Sequence, residues 1–511
     1  MKIIIRVDAS VQMGTGHVMR CLTLADALTE KGATISFVCR ELPGDLCSFI
    51  EEKGYRVHRL LFQNEDKNSI KDGTRHGAAR GTISDLDAQG TEAILKMEGD
   101  VRWLIVDHYA LDKQWEKYLR PYVNKIMAID DLADRPHDCD LLLDQNLYDD
   151  METRYDGLVP ASCQKLFGPK YALLRPEFVK TRENPRKRDG TIRHILINFG
   201  GADADNMTEK ALEAVRLLNR PDVPVDVVVG SSNPHKDSVK KLCASMPNTR
   251  YYCQVENMAE MMVRADLCLG AGGTSVWERC CIALPNLTVS IAQNQVHMNT
   301  TMGRNTFILY GGWHKDVTAQ RLHEDILFLF NHQELVAWFS LQSKSLVDGN
   351  GSSRVRRFLL YDFQSLRLRR VTMKDCKIVY ELRNDPRVRK YSFSSSPLEW
   401  EKHKQWFEKK MKSRNTDMFL AMIKDTAVGV LRYDLNGPSA KASIYLEQGQ
   451  IGMGLGTLIL QQGNKWLKET YPKIESVIAE IAIENTASMK AFEHAGFQKN
   501  HVTYIYHWGK K

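Results

Sequence analysis

Short apolar runs alternate with amphipathic stretches through the first part of the chain. Ile3-Ile4-Ile5 with Val7 reads as a buried strand, and Cys21, Leu22, Leu24, Ala25 and Leu28 then recur at helical spacing. TISFVC (34–39), WLIVD (103–107) and KIMAID (125–130) return to the compact apolar form of a strand. Alternation of this kind predicts a parallel sheet, because parallel strands need crossovers and are covered on both faces. After a polar connection, ENPRKRDG (183–190), the pattern restarts with Ile195-Leu196-Ile197, VDVVVG (225–230) and DLCLG (266–270), which predicts a second Rossmann-like unit. DGNGSS (348–353) breaks the alternation and is expected to be a linker, beyond which the spacing changes again. The expected organisation is two paired α/β units, 1–165 and 166–358, and a smaller third domain, 359–511. No internal repeat is visible.

The length agrees with this count, since 511 residues at about 150 per domain give roughly three folding units. With 43% hydrophobic and 26% charged residues, and no apolar run near the ~18 that a membrane helix needs, a globular chain without a membrane span is expected. Seventy Lys and Arg against 63 Asp and Glu leave a charge of +7, a mild bias that suits phosphorylated small molecules at least as well as nucleic acid. Arg6 and Asp8 interrupt the N-terminal apolar stretch before it reaches the length of a signal-peptide core. The 11 cysteines include no CxxC pair and suit neither a disulfide framework nor a zinc site, so reduced, mostly buried thiols in a cytoplasmic protein are expected, with no metal and no nucleic-acid or membrane partner.

Val11 to Arg20, VQMGTGHVMR, follows a strand and opens a helix, so Gly14 and Gly16 form a tight turn at a helix N-terminus, where free N–H groups and the dipole favour anions. It is not the dinucleotide fingerprint, because Met19 stands at the third glycine. His17 follows the turn; the dipole disfavours its cation, which suits a base near neutral pH, and a helix-capping histidine fits the same position. Asp8 ends the first strand and Asp107-His108-Tyr109 follow another, as Asp130-Asp131 follow a third, all at edges where open α/β sheets bind ligands or cap helices. In the second unit Gly200-Gly201 follow ILINF, and Gly272-Gly273 lie in a glycine-rich turn with Glu278 one helical turn on, placed to accept from ribose hydroxyls. Asn294 and Gln295 follow the strand LTVSI.

Taken together, GxGH in the first unit with GGxD and GG(T/S)xxxE in the second resemble the GT-B sugar-nucleotide fold. RVDAS-GTGH-MRC, DHYALD, DDLADRPHDCDLLLDQN, GPKYALLRPEF, NFGGAD and AGGTSVWE, spread over roughly 1–358, are more closely similar to the UDP-sugar hydrolases of the pseudaminic acid pathway. That resemblance implies release of UDP from UDP-2,4-diacetamido-2,4,6-trideoxy-β-L-altropyranose by water. It makes His17 the general base or water-orienting group, with Asp8, Gly14, Gly16, Asp107, Tyr109, Gly200, Gly201, Gly272, Gly273, Glu278, Asn294 and Gln295 on the substrate.

From Leu366 the chain reaches a strand, SIYLE, and then QIGMGLGTL (450–458), where alternate glycines at a helix start suit a pyrophosphate. AEIAIENTASMKAFEHAGF follows. This segment resembles the GNAT acetyltransferases, which implies acetyl-CoA as co-substrate, held by Gly452, Met453, Gly454, Gly456 and Asn485. The RNDP segment points to the subgroup that includes the N-acetyltransferase of the same pathway. Ile451 replaces the family's Arg or Gln, and Phe492 stands where many members carry a tyrosine acid; phenylalanine has no proton to donate. Tyr504, Tyr506 or water are the candidates to replace it, and Glu447, Glu480 and Glu484 are candidate bases. The expected whole is a GT-B-like pair followed by a GNAT domain, a bifunctional enzyme acting on a UDP-amino sugar. Two rivals remain: a GT-B glycosyltransferase fused to an acetyltransferase, and a nucleotide-sugar sensor fused to a protein acetyltransferase.

Overall fold

The computed structural model describes residues 1–60, 79–183, 186–361, 365–392, 395–447 and 454–499. The chain divides into two compact units, Met1–Arg356 and Arg357–Lys511.

The first unit contains two parallel sheets. The apolar runs of the first form β1 (Lys2–Val7), β2 (Thr34–Arg40), β3 (Arg56–Leu60), β4 (Val101–Asp107), β5 (Val123–Ile129), β6 (Leu141–Asp144) and β7 (Gln164–Phe167), in spatial order β3-β2-β1-β4-β5-β6-β7. Ile3, Ile4, Ile5, Leu104 and Ile105 are fully buried, as the continuous apolar runs require of strands covered on both faces. The chain winds outward from β1 to β3 and returns to β4 beside β1, so the strand order reverses between β1 and β4. Crevices at such reversals, outside the carboxyl ends of the strands, are where open α/β sheets take ligands. The second sheet repeats the arrangement with β8 (Ile195–Asn198), β9 (Val225–Val229), β10 (Thr249–Cys253), β11 (Leu267–Ala271), β12 (Asn286–Ser290) and β13 (Leu309–Trp313), in order β10-β9-β8-β11-β12-β13. Its reversal lies between β8 and β11, which places the Gly200 and Gly272 turns side by side.

Two connections differ from the simple reading of the sequence. The connection is docked through its described residues 186–190: Arg188 donates to the carbonyls of Met262, Val263, Ala265, Ile282 and Ala283, and Arg186 reaches Asp266 at 2.7 Å. These arginines satisfy carbonyls left open where the helices Met258–Arg264 and Ser275–Cys281 end. Burial pushes the Arg188 guanidinium down to about 10. The expected linker at 348–353 is not an open one either. Asp348 receives Arg354, a helix runs from Gly351 to Leu360, and a methyl on Gly351 would overlap the Ala172 carbonyl oxygen. Glycine is there because two backbones touch, and the polar composition of the segment conceals it.

The second unit has one sheet, β14 (Leu366–Arg370), β15 (Thr416–Ile423), β16 (Thr426–Asn436), β17 (Ser439–Leu446) and β18 (Ser476–Ile478), in sequence order and antiparallel except for the β17–β18 pair. Successive residues of β15 point to opposite faces. Phe419, Ala421 and Ile423 pack with Leu455, Ile459 and Leu460 of the helix Leu455–Thr470, whereas Met418, Leu420 and Met422 pack with Val379 and Phe407 of the helices Cys376–Asn384 and Trp400–Lys412. Among the described residues no helix is long and apolar enough to cross a membrane.

Candidate active site

His17 lies in the first turn of the helix Gly16–Thr29, and the register of β1 against β4 sets Val7 opposite Asp107. The two side chains meet: His17 Nδ1 is 2.6 Å from Asp107 Oδ1. A carboxylate only accepts, so Nδ1 donates to Asp107; Arg20 Nη2, 3.1 Å from the same nitrogen, bonds that carboxylate instead, and Nε2 is left as the acceptor of a neutral ring. Arg20, one helical turn beyond His17, grips the same carboxylate with Nη2 on Oδ1 and Nε on Oδ2, both at 2.6 Å. Burial, the largest influence on Asp107, favours its neutral form, but Arg20 and His17 outweigh it and hold the carboxyl well below the usual range.

The Tyr109 ring stands edge-on to the His17 ring, with centroids 4.7 Å apart. Its hydroxyl donates to Asp131 Oδ1 at 2.7 Å and accepts from Asn294 Nδ2 at 3.0 Å, so a residue from each Rossmann-like half takes part. A second bridge runs from Trp277 Nε1 to Asn146 Oδ1, 3.1 Å. The glycine turns face each other across the same crevice. A methyl on Gly16 would stand 3.8 Å from Thr274 Oγ1, and one on Gly201 would stand 3.6 Å from Thr15 Oγ1. Gly14 and Gly200 hold positive φ, 75° and 91°, conformations that glycine adopts without strain. Gly272 has a different reason: a methyl there would overlap Asn299 Nδ2. Gln295 lies beside Gly273, and its Oε1 accepts from the Ile291 amide at 3.0 Å. Glu278, in the first turn of the helix Ser275–Cys281, accepts from Arg175 Nη2 at 3.1 Å; burial pushes its carboxyl up and Arg175 works against that.

Asp8, expected on the substrate, is placed otherwise. It is 1% exposed, and its oxygens accept from both Nη atoms of Arg6, from the Arg40 amide at 2.7 Å and lie 3.2 Å from His108 Nε2. A carboxylate so occupied organises the strand ends and has no face turned to a ligand. Conversely, Arg20, Asn146 and Arg175 take part in the site although the sequence alone assigns them no role. Arg20 has a signal, its i+3 spacing from His17 on one helix face; Asn146 and Arg175 stand in the blocks DDLADRPHDCDLLLDQN and GPKYALLRPEF that carry the hydrolase resemblance, but their partners lie across the fold and spacing does not show them.

In the second unit Gly454 caps the helix Leu455–Thr470 with φ of 74°, and a methyl on Gly456 would be 3.3 Å from Ala491 Cβ. Gly452, Met453, Tyr504 and Tyr506 lie outside the described residues. Asn485 caps the helix Thr486–His494, accepting from the Ser488 amide at 3.1 Å. Phe492 is a core residue, edge-on to Phe497. Of the three candidate bases, Glu480 is 2.7 Å from Lys441 Nζ and Glu484 is exposed, while Glu447 lines a cavity of about 310 Å³ with Ile378, Glu381, Asp385 and Leu446.

Comparison with known proteins follows the same division. Residues 365–498 match the family model described as "Acetyltransferase (GNAT) domain". An uncharacterized protein of Methanocaldococcus jannaschii is 24% identical over 98% of this chain and 97% of its own length. The UDP-2,4-diacetamido-2,4,6-trideoxy-beta-L-altropyranose hydrolase of Campylobacter jejuni is 28% identical over 60% of this chain and 98% of the relative. The crystal structure of Acinetobacter baumannii MurG superposes with a TM-score of 0.50 at 16% identity, covering 70% of this chain and 99% of that one. The chain thus carries a C-terminal GNAT acetyltransferase domain behind a GT-B-like part that is similar to the UDP-diacetamido-trideoxy-altropyranose hydrolase.

Proposed function

We propose that the chain is a bifunctional enzyme of pseudaminic acid biosynthesis, in which the C-terminal domain N-acetylates the 4-amine of a UDP-4-amino-4,6-dideoxy sugar with acetyl-CoA. The N-terminal part then hydrolyses the product, UDP-2,4-diacetamido-2,4,6-trideoxy-β-L-altropyranose, to free sugar and UDP. The observation that carries the hydrolytic step is the His17–Asp107 pair at a strand-order reversal, facing two glycine turns across a crevice.

In this reading Asp107 fixes the tautomer and Nε2 of His17 takes a proton from water. The water oxygen bonds to the anomeric carbon, the bond from that carbon to the phosphate oxygen breaks, and its electron pair leaves with UDP. Backbone N–H groups at Gly200-Gly201 and Gly272-Gly273 meet the diphosphate and Glu278 accepts from ribose, while Gly14 and Gly16 leave room for the sugar beside Tyr109, Asn294 and Gln295. Acetyl transfer needs the amine to attack the thioester carbonyl and CoA to leave with the electron pair. Gly452, Met453, Gly454 and Gly456 are assigned to the CoA pyrophosphate, Asn485 to its pantetheine arm, and Glu447, on the cavity wall, to the amine proton. Division into functional domains 1–165, 166–358 and 359–511 follows, as does a cytoplasmic location, where both nucleotide sugar and acetyl-CoA occur and where the 11 free thiols stay reduced. Covalent fusion keeps the acetylated intermediate at raised local concentration near the second site.

The test is incubation of the purified chain with the UDP-4-amino sugar and acetyl-CoA, following CoA and UDP separately without any added acceptor. Both should appear, and UDP only after acetylation. UDP release that requires a sugar or lipid hydroxyl makes the first part a glycosyltransferase instead.

A further inference from the structure

Asp131, just past β5, is a carboxylate of the crevice that the proposed reaction leaves without a part. It is 7% exposed and receives three side-chain donors: Tyr109 Oη on Oδ1 at 2.7 Å, and Asn146 Nδ2 and Arg20 Nη1 on Oδ2 at 3.2 and 3.5 Å. Each donor leads onward. Arg20 clamps Asp107, which holds His17 Nδ1. Tyr109 sets its ring edge on the His17 ring and its hydroxyl accepts from Asn294. Asn146 accepts from the indole N–H of Trp277. Asn294 and Trp277 stand on two different helices of the second half, Gln293–Arg304 and Ser275–Cys281. These two bridges between the halves therefore end on donors to one carboxylate, and Arg20 and Tyr109, which flank His17, are donors to it as well.

We propose that Asp131 is a positioning residue that orients His17 through Arg20 and Tyr109, and does so while the two halves are engaged through Asn294 and Trp277. The proposal rests on His17 being the base. Its chemistry is that of an acceptor hub: an ionised carboxylate offers about four lone-pair sites and no hydrogen, so three donors converge on it without conflict. An asparagine in its place turns N–H groups toward at least one of those donors. Tyr109 then loses the contact that fixes its ring against His17, and Arg20, no longer anchored at Asp131, lets the Asp107 carboxylate swing off Nδ1 in part of the molecules, so that the tautomer is no longer fixed. Opening of the crevice would act the same way from the other end, by withdrawing Asn294 and the Trp277–Asn146 bond.

The experiment uses the full chain with ¹⁵N-labelled histidine, reading the His17 tautomer by NMR, with His17→Asn to identify the signal, alongside UDP-release kinetics. The unsubstituted protein should show hydrogen on Nδ1. Asp131→Asn should show mixed tautomers and a kcat lower by roughly ten-fold or more, with KM changed by less than about three-fold. Trp277→Phe, which removes one N–H, should move both readouts in the same direction, and the double variant should be no worse than Asp131→Asn, as expected of residues acting in one chain of contacts. Thermal melts verify folding; if Asp131→Asn fails to fold, Trp277→Phe alone decides. An unchanged tautomer and kcat in a folded variant, or additive losses, overturns the proposal. Absence of UDP release from the unsubstituted protein would instead reject the hydrolase reading, and the tautomer series would still report whether Asp131 orients the ring.

Discussion

His17 Nδ1 lies 2.6 Å from Asp107 Oδ1 although 90 positions separate them in the chain. The pair exists because β1 and β4 are neighbours, so the turn after one and the end of the other share an edge. It fixes which ring nitrogen is left to act. Substitution of His17 by Ala or Asn should lower kcat for UDP release by about 10²–10⁴, the usual range for a lost general base, and leave UDP affinity nearly unchanged. Asp107→Asn should lower kcat too, because an amide can offer Nδ1 a donor and so favour the other tautomer. Near-normal turnover in His17→Asn, measured with saturating substrate, would remove His17 from the chemistry.

Much of this fold was legible in the chain. Ile3-Ile4-Ile5, WLIV and the other apolar runs are strands because each is buried on both faces, and that demand is written locally. GTGH was legible for the same reason, since turn, helix start and histidine are contiguous. Asp107 and His17 were each singled out, Asp107 as a strand-end residue on the substrate and His17 as the base, but their pairing was not, because it depends on strand order. Asp8 carried the same strand-end signature and went to Arg6 and Arg40 instead. The DGNGSS segment misled for a related reason: composition reports flexibility of the free chain, and the contact that pins Gly351 lies far back in the sequence, at Ala172.

Water is expected to attack the anomeric carbon, so reaction in ¹⁸O-labelled water should place the label in the free sugar. In the proposed reaction His17 is the base, and it sits in the first helical turn beside the glycine turn assigned to the sugar. Mass spectrometry of both products separates the alternatives, and label in the β-phosphate of UDP would assign the attack to phosphorus.

Glu278 is expected to hold the nucleotide. A hydrogen bond to a charged group contributes about 1.5–3 kcal/mol, so Glu278→Ala should weaken UDP binding by roughly ten-fold or more. Arg175→Ala should weaken it as well, by releasing the carboxylate that Arg175 now steadies at 3.1 Å. Calorimetric titration with UDP measures both, and unchanged affinity in Glu278→Ala places the ribose elsewhere.

Acid should loosen the first unit at its central strands. Asp8, Asp107 and Asp87, which lies on the helix Ala79–Glu98 and accepts from Arg6 Nη2 at 2.6 Å, are buried, which by itself favours their neutral forms, yet their arginine partners hold all three below the ordinary aspartate value. Their folded values lie below the unfolded value of about 3.9, so the unfolded chain binds more protons in that window. The stability they contribute is complete above about pH 5 and is lost as pH falls through and below 4. Hydrogen-exchange protection of β1 and β4 should therefore drop over that range and hold level above it. Asp87→Asn should flatten the drop, having removed one of the three groups.

The two activities should separate by cutting, and the structure moves the cut from where composition suggested it. Ser353 lies inside the helix Gly351–Leu360, whose Val355, Phe358 and Leu359 are 0%, 5% and 2% exposed. Scission there leaves these side chains without the half-helix that positions them, and the N-terminal fragment should be destabilised. A cut between Leu360 and Leu366 preserves that helix and leaves β14 whole. From such a cut, the first fragment should release UDP from an acetylated substrate, and the second should consume acetyl-CoA only with the 4-amino precursor. Gly454→Val in the intact chain should abolish acetyl transfer and spare hydrolysis, because valine is strained at φ of 74° and its side chain would crowd the helix start assigned to the pyrophosphate. Loss of hydrolysis of an already acetylated substrate in Gly454→Val, or failure of the C-terminal fragment to bind acetyl-CoA, would refute two independent sites.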